Sequence, residues 1–224
     1  SLTVGDAVNP LASINVQGAL AITGSVGLFA GNITSTAAGT ISTTTGLSIT
    51  NTGAANTLAG LISGTGGLTK SGTGTLTLTG ANSYAGVTNI NAGVLSVSSL
   101  ANGGVASNIG QSTNAAANLV LNGGTLQYNS ATPVTIDRAL TLGASHGGIN
   151  VANAAGPLTI SGNIVGGNRF TKSGLGDLTL TSAAAAISNL YVVGGTMILS
   201  GSGTYTVPGV IQTGSNTADG ALAF

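Results

Sequence analysis

The 224-residue sequence has no cysteine and no tryptophan, and only 4% of its residues are charged. Without cysteine, the chain has neither a disulfide framework nor a thiolate metal site. Its four basic residues are dispersed and are balanced by four aspartates, so no basic surface for nucleic acid or anionic lipid is expected. Lysine and arginine are scarce and glutamate is absent, which removes many of the residues that favour helices. No apolar run approaches the roughly 18 residues that a transmembrane helix requires.

Small residues dominate what is present. Glycine accounts for 38 of the 224 residues, more than twice its average share of about 7%. Hydrophobic residues make up 42% of the chain, and this argues against disorder. Apolar residues alternate with hydroxyl residues in short segments such as Thr75–Thr79 and Leu140–Leu142, and glycine pairs such as Gly123-Gly124 separate them. This pattern predicts many short strands joined by tight corners in one all-β domain.

The sequence contains an internal repeat. A shift of 102 positions places Leu68–Ala81 on Phe170–Ala183, and ten of the fourteen aligned residues are identical. The match continues without a gap on both sides and preserves the alternation and the glycine positions. We therefore predict repeat units at about residues 47–99 and 149–201, in which the backbone follows the same path.

Two architectures can accommodate short strands with glycine corners. A sandwich usually needs aromatic core anchors and charged outer faces, but only 3% of the residues here are aromatic. A solenoid needs neither, because ladders of Leu, Ile and Val fill its core and ladders of Thr, Ser and Asn cover its faces. We predict a single-stranded, right-handed parallel β-helix (a β-solenoid) of about ten rungs. At a strand spacing near 4.8 Å the rod is on the order of 50 Å long.

The first repeat contains a pattern of alternating signature residues that begins at Leu68 and ends at Leu95. Its members are Leu68, Lys70, Gly72, Gly74, Leu76, Leu78, Gly80, Asn82, Tyr84, Gly86, Thr88, Ile90, Gly93 and Leu95. This stretch resembles the passenger-associated repeat of autotransporter proteins, and every position of that pattern is filled. The segments Leu119–Leu126 and Thr141–Val151 also resemble the spacers of such passengers. The resemblance covers roughly residues 47–200 and implies a secreted β-helix at the bacterial cell surface.

The second repeat departs from the pattern at one corner. Asn82, Tyr84 and Gly86 are replaced by Ala184, Ala186 and Ser188. We expect this corner to change conformation while the rung itself is kept. The family's membrane barrel has no counterpart here, so any membrane contact is expected through parts of the parent protein outside this chain.

The acidic residues and the histidine offer little for catalysis. The aspartates stand at positions 6, 137, 177 and 219, so a clustered pair for acid–base chemistry is not expected. Asp137 and Arg138 are adjacent on one predicted strand, which directs their side chains to opposite faces. The single histidine, His146, lies in a predicted turn and has no second histidine or cysteine with which to bind a metal. We predict isolated, solvated charges and an exposed loop histidine, with no catalytic, cofactor-binding or metal-binding residues.

Three other groups of residues have structural explanations as well as functional ones. Lys70 and Lys172 are equivalent in the two repeats, and we expect each to shield a strand edge rather than to bind an anion. The tyrosines could stack on sugars, although Tyr84 belongs to the turn motif and is expected to pack at a corner. The four tyrosines are Tyr84, Tyr128, Tyr191 and Tyr205. Gly64–Gly67 and Gly72–Gly74 are interpreted as corners, because no helix or Lys-Ser/Thr ending follows them.

Several functions are compatible with such a rod. The favoured function is that of a non-enzymatic stalk or adhesive segment of a longer extracellular protein. Residues 1–224 are expected to form one solenoid segment of that protein. Its partners would be other copies of itself or host and cell-surface molecules, bound through lateral faces or rung ends. The main alternative is a fibre subunit that stacks end to end. An ice-binding array at Thr73, Thr75, Thr77 and Thr79 and a polysaccharide-active enzyme are less favoured.

Overall fold

The computed structural model describes residues 2–4, 11–53, 56–214 and 220–223. The chain winds into a parallel β-solenoid of about 10 turns, and each full circuit is called a rung below. Consecutive rungs pair in parallel, as in the register of Leu47 with Leu68 and of Leu68 with Thr88. The prediction of an all-β solenoid of about ten rungs is confirmed, and its right-handedness stays a prediction.

Each complete rung contributes to three faces. Face 1 contains β1 (Leu2–Val4), the first half of β4 (Ser25–Ser35), β6 (Gly46–Asn51), β9 (Gly67–Ser71), β11 (Thr88–Ile90), β13 (Leu119–Leu121), β16 (Leu140–Leu142), β19 (Ile164–Val165), β22 (Ala184–Ala186) and β25 (Thr204–Thr206). Face 2 contains β2 (Leu11–Val16), the second half of β4, β7 (Asn56–Leu58), β10 (Thr75–Leu78), β12 (Val94–Val97), β14 (Thr125–Tyr128), β17 (Gly147–Val151), β20 (Phe170–Ser173), β23 (Leu190–Val192) and β26 (Ile211–Thr213). Face 3 contains β3 (Ala19–Ile22), β5 (Thr40–Thr43), β8 (Ile62–Ser63), β15 (Val134–Ile136), β18 (Leu158–Ile160), β21 (Leu178–Leu180), β24 (Gly195–Leu199) and β27 (Gly220–Ala223).

Period-two alternation produces the core. In β6 and β10 every second residue is buried, and parallel register places each buried residue on its equivalent in the next rung. Leu76, Leu95, Leu126 and Ile149 form one such column on face 2. A core built from stacked aliphatic residues needs no large aromatic anchor, which explains how a chain so poor in aromatics can fold.

The glycines of the repeat lie where rungs approach closely. Gly72 and Gly174, which are equivalent in the two repeats, have φ angles of 77° and 81°. A Cβ atom at Gly72 would lie 2.3 Å from the Asn51 carbonyl oxygen, and one at Gly174 would lie 2.3 Å from that of Val151. Only glycine tolerates both the left-handed backbone and this contact, so these glycines act as corners, as predicted.

The two repeats lie on different faces of the rod. The first begins with β9 on face 1, whereas the second begins with β20 on face 2. The rungs between them are unequal in length: the circuit from Thr88 to its partner Leu119 takes 31 residues, but that from Leu47 to Leu68 takes 21. The same sequence therefore specifies the same local path without fixing the face on which that path runs.

The altered corner of the second repeat changes which residues point inward. In the first repeat Asn82 and Tyr84 are buried, and the Asn82 Oδ1 atom accepts a hydrogen bond from the Ile62 amide at 2.8 Å. In the second repeat Ala185 is buried between the exposed Ala184 and Ala186, and the segment forms a regular strand. Inward and outward positions are exchanged, as a one-residue shift in a strand requires. The rung is nevertheless kept, as expected.

Candidate functional site

Two of the four cationic side chains point into the core. Lys70 lies between Ile49 and Ile90 in an inner column of face 1, and its side chain is fully buried. Its Nζ atom donates to the carbonyl oxygens of Ser71, Gly72 and Ala92 at 2.7, 2.8 and 3.2 Å. Three carbonyl groups that turn inward at a corner thus receive three ammonium protons.

Lys172 repeats this arrangement on face 2. Its Nζ atom donates to the carbonyl oxygens of Ser173, Gly174 and Gly194 at 3.0, 3.1 and 2.7 Å. These are the equivalents of the Lys70 acceptors in the second repeat. The prediction that both lysines shield a strand edge is wrong, because buried carbonyl groups at the corner require an internal donor. Burial lowers the pKa of each lysine to about 8.

Arg138 is the third buried cation, and it holds the long circuit of the chain. That circuit carries residues 98–118 and includes a short 3₁₀ helix, Ala116–Asn118. The guanidinium donates to five carbonyl oxygens of this segment at 2.8 to 3.4 Å, and to the Ser112 hydroxyl at 3.0 Å. The five carbonyl groups belong to Ala101, Asn102, Val105, Gly110 and Ser112. We call residues 98–118 held in this way the clasped loop.

Asp137 fixes the same loop from the outside. Its carboxylate accepts from the Gly103 amide at 2.8 Å and from the Asn114 side-chain amide at 3.1 Å. Asp137 and Arg138 thus point to opposite sides, as predicted, but the expectation of isolated, solvated charges is wrong for both. Asp177 is half-buried and accepts from the Thr196 amide at 3.1 Å, so it is not an isolated charge either. Asp6 and Asp219 lie outside the described residues.

The outer surface of face 2 carries polar side chains in eight successive rungs. Register places Asn15, Thr34, Thr57, Thr77, Ser96, Gln127, Asn150 and Ser173 in one row, the polar ladder. All of them except Ser96 are at least partly exposed. Threonine stops recurring after Thr77, so the ladder is a mixed hydroxyl and amide surface rather than the uniform threonine array that ice binding needs.

Face 1 bears a groove of about 620 Å³ that crosses four rungs. Gly46 and Gly67 are paired in register along its floor, and the outward side chains of Ser48, Thr69 and Asn89 form one wall. The Asn89 Oδ1 atom is buried and has no hydrogen-bond partner within the described part of the chain. The groove therefore presents neutral hydrogen-bonding groups, while the Asn89 Oδ1 atom itself is shielded from solvent.

A second, smaller depression of about 170 Å³ lies between His146 and Arg169. His146 has a φ angle of 70°, and it is the one residue other than glycine with positive φ in the described ranges. Its Nδ1 atom accepts from the Arg169 backbone amide at 3.3 Å. The exposed Arg169 guanidinium lies 5.7 Å from the centre of the Tyr191 ring. The expectation of a loop histidine is correct in position, although its ring is half-buried.

Arg169 was not singled out from the sequence, although a signal was available. Arg169 follows His146 by 23 positions, and neighbouring rungs of this rod are 20 to 24 residues long over most of its length. Because this separation equals one rung, it predicts that the two residues lie in contact on neighbouring rungs.

The tyrosines divide into two groups. Tyr84 and Tyr128 are buried, and their hydroxyls bond to the Thr88 hydroxyl at 2.8 Å and to the Thr132 carbonyl oxygen at 2.6 Å. The corner-packing role predicted for Tyr84 is confirmed. Tyr205 donates its hydroxyl proton to nearby carbonyl oxygens, and the half-buried Tyr191 lies beside the charged Arg169.

No cluster of three or more His, Cys, Asp or Glu side chains occurs in residues 2–4, 11–53, 56–214 and 220–223. In those same segments, no helix is long and apolar enough to cross a membrane.

Comparison with known proteins addresses the identity of the repeat. The family model described as passenger-associated-transport-repeat matches residues 68–97 and 170–188, the two stretches that contain Lys70 and Lys172. Two stretches of the chain are therefore similar to the passenger-associated transport repeat. It is also 45% identical over 141 residues to a protein named "Adhesin BmaC autotransporter" from Brucella suis biovar 1 (strain 1330). No solved structure gives a significant match.

The resemblance to the autotransporter passenger-associated repeat is thereby confirmed. The aligned residues are 62% of this chain but only 4% of the Brucella relative. The structure adds the physical basis of the repeat, because its Lys and Gly positions build one corner with an internal ammonium group. The repeat-unit boundaries at 47–99 and 149–201 stay predictions.

Proposed function

We propose that this chain is a non-enzymatic, structural and adhesive segment of a longer extracellular protein at the bacterial surface. The observation that carries the proposal is the placement of charge. Lys70, Lys172 and Arg138 are buried on carbonyl groups, and this leaves Arg169 as the one exposed Lys or Arg side chain among the residues that the structure describes. The lateral faces consequently offer mainly hydroxyl and amide groups for contact with surface or host molecules.

The groove on face 1 is the proposed adhesive surface. Its volume of about 620 Å³ falls in the range of about 300–1,000 Å³ that is usual for ligand sites. Ser48 and Thr69 supply neutral hydroxyl groups along its wall. The adhesin name of the Brucella relative supports an adhesive role.

Lysine substitutions test this surface. Beads coated with the purified chain are incubated with cultured host cells, and attached beads are counted for the wild type and two double variants. Ser48→Lys with Thr69→Lys places two charges in adjacent rungs of the groove. Thr159→Lys with Thr179→Lys places the same charges on adjacent rungs of face 3. We expect only the first pair to reduce attachment, and equal attachment of both variants would contradict the assignment.

Side-to-side association of rods is a second part of the proposal. The polar ladder on face 2 would pair through hydrogen bonds, because it contains no charged side chain. Association should therefore persist in roughly 1 M salt, where the Debye length is about 3 Å. Analytical ultracentrifugation at low and high salt measures this, and dispersal into single rods at high salt would show that charges hold the assembly.

A further inference from the structure

We propose that the cleft between His146 and Arg169 binds the carboxylate of an acidic sugar. This site is separate from the face 1 groove, and it lies at the corner that leads into face 2. The proposal depends only on the geometry around His146 and Arg169, so its test is independent of the adhesive role of the groove.

The cationic side of the cleft is held in place before any ligand arrives. Arg169 lies 5.7 Å from the centre of the Tyr191 ring, an arrangement that favours a guanidinium over an aromatic face. In the described part of the chain no carboxylate lies within 4 Å of this guanidinium, whose fork of N–H groups matches a carboxylate. The Tyr191 ring thus favours one position of the guanidinium beside the cleft.

His146 supplies a second donor on the opposite side. Its Nδ1 atom accepts the Arg169 amide proton at 3.3 Å, so the proton of the neutral imidazole belongs on Nε2. The backbone of His146 is fixed by hydrogen bonds of its amide to the Gly143 carbonyl oxygen at 2.9 Å and of its carbonyl oxygen to the Gly123 amide at 2.7 Å. Unusual backbone conformations held by their surroundings are frequent at functional sites, and His146 has such a conformation.

The floor of the cleft fits a ring that carries hydroxyl groups. Register places Thr125, Gly148, Thr171 and Tyr191 in one outward row. Gly148 keeps the space between the two threonines free of a side chain, since a Cβ atom there would lie 3.0 Å from the Thr171 carbonyl oxygen and 3.4 Å from the Thr125 Oγ1 atom. With the exposed Ser145 at the rim, three hydroxyl groups surround a space of about 170 Å³. This space suits one terminal ring rather than an extended ligand.

An acidic peptide fits this place less well. β17, which contains Gly148, is paired on one side with β14 and on the other with β20. Its backbone groups are therefore occupied, and no free strand edge is available for a peptide to extend the sheet. Recognition must come from side chains, and those present are a guanidinium, an imidazole and hydroxyl groups.

Nuclear magnetic resonance offers a direct test, because the chain has one histidine and two arginines. Methyl glucuronide is titrated into the purified chain, with methyl glucoside, acetate and triglutamate as comparison ligands. We expect the His146 ring and Arg169 guanidinium signals to shift with methyl glucuronide, while those of the buried Arg138 stay in place. Methyl glucoside should bind about 10- to 100-fold more weakly, as expected for loss of a charge-assisted contact.

Arg169→Gln should weaken binding of methyl glucuronide by a similar factor, whereas the control variant Thr159→Val at a half-buried position on face 3 should not. Equal thermal midpoints would show that both variants fold. The proposal is overturned if no signal shifts, if acetate binds as tightly as methyl glucuronide, or if triglutamate binds more tightly. None of these outcomes bears on the face 1 groove, whose adhesive role is measured with beads.

Discussion

Arg138→Met is the substitution whose consequence the structure defines most sharply. The guanidinium holds the clasped loop through five carbonyl oxygens and one hydroxyl, and it is 2% exposed. Methionine has a similar length and can fill the space, but it donates no hydrogen bond. The variant therefore removes the donors while leaving the acceptors in place.

The expected loss follows from these contacts. A buried acceptor left without a partner costs about 1–3 kcal/mol, and five carbonyl oxygens lose their donor together in this variant. The loop can reduce this cost by moving outward, so that water reaches its carbonyl groups. We therefore expect a loss of about 3–5 kcal/mol in the free energy of unfolding, accompanied by local opening of residues 98–118.

Urea unfolding and amide hydrogen exchange measure the two effects. The amides of Gly104 and Gln111, which bond to the Ser112 and Tyr84 carbonyl oxygens at 2.9 Å, should exchange faster in the variant. Amides of β20 and β23, several rungs away, should be unaffected, because solenoid rungs interact with their nearest neighbours.

Arg169→Met removes the same charge from an exposed position and should change stability by no more than about 0.5 kcal/mol. Equal losses of unfolding free energy in the two arginine variants would refute the role of Arg138 in holding the clasped loop. Amide exchange that accelerates uniformly along the rod would refute it as well.

Further outcomes concern the lysines and the Asn82 corner. Lys70→Met and Lys172→Met should each cost about 2–4 kcal/mol in urea unfolding, because three carbonyl groups lose their donor while the charge penalty is relieved; unequal losses would contradict their equivalence. Since burial lowers the pKa of both lysines from 10.5 to about 8, the unfolded chain binds more protons than the folded chain between these values. The free energy of unfolding should therefore rise with pH over that interval, by about 1.4 kcal/mol per pH unit for each lysine. A variant with both lysines replaced by Met should lack this rise. A wild-type free energy that stays constant or falls over the interval would contradict the prediction. Asn82→Ala should cost about 2–4 kcal/mol, because the Ile62 amide and the Asn108 carbonyl oxygen both lose a partner, whereas Ser83→Ala beside it should be nearly neutral.

The overall fold could be predicted because its determinants are local and periodic. Alternation in segments such as Thr75–Leu78 specifies strands, and the glycines between them specify corners. The low aromatic content excludes most alternatives to a stacked aliphatic core. The equivalence of Lys70 and Lys172 is visible in the sequence, but the expectation that each shields a strand edge is wrong, because both side chains are buried. Only the inward direction of three carbonyl groups at that corner explains the lysine.

The clasped loop and the His146 cleft were harder to predict because they join residues of different rungs. Arg138 contacts residues that precede it by 26 to 37 positions, a separation set by the one long circuit of the chain. Sequence alone shows neither where that circuit closes nor which face follows it. The His146 contact with Arg169 spans 23 positions and was accessible in principle once the rung length was known.

The position of the second repeat on another face has a consequence for how such rods acquire function. Lys70 and Lys172 make equivalent contacts, although their strands lie on face 1 and face 2. The repeat thus encodes a corner and its internal donor, and the outward residues are free to differ. On face 1 the outward residues Thr69 and Asn89 of the repeat line the groove, whereas on face 2 the aligned residues Thr171 and Tyr191 border the His146 cleft. A stable, repeated interior can therefore carry different binding surfaces, because each side chain that stabilises a corner points away from the surface on which ligands would bind.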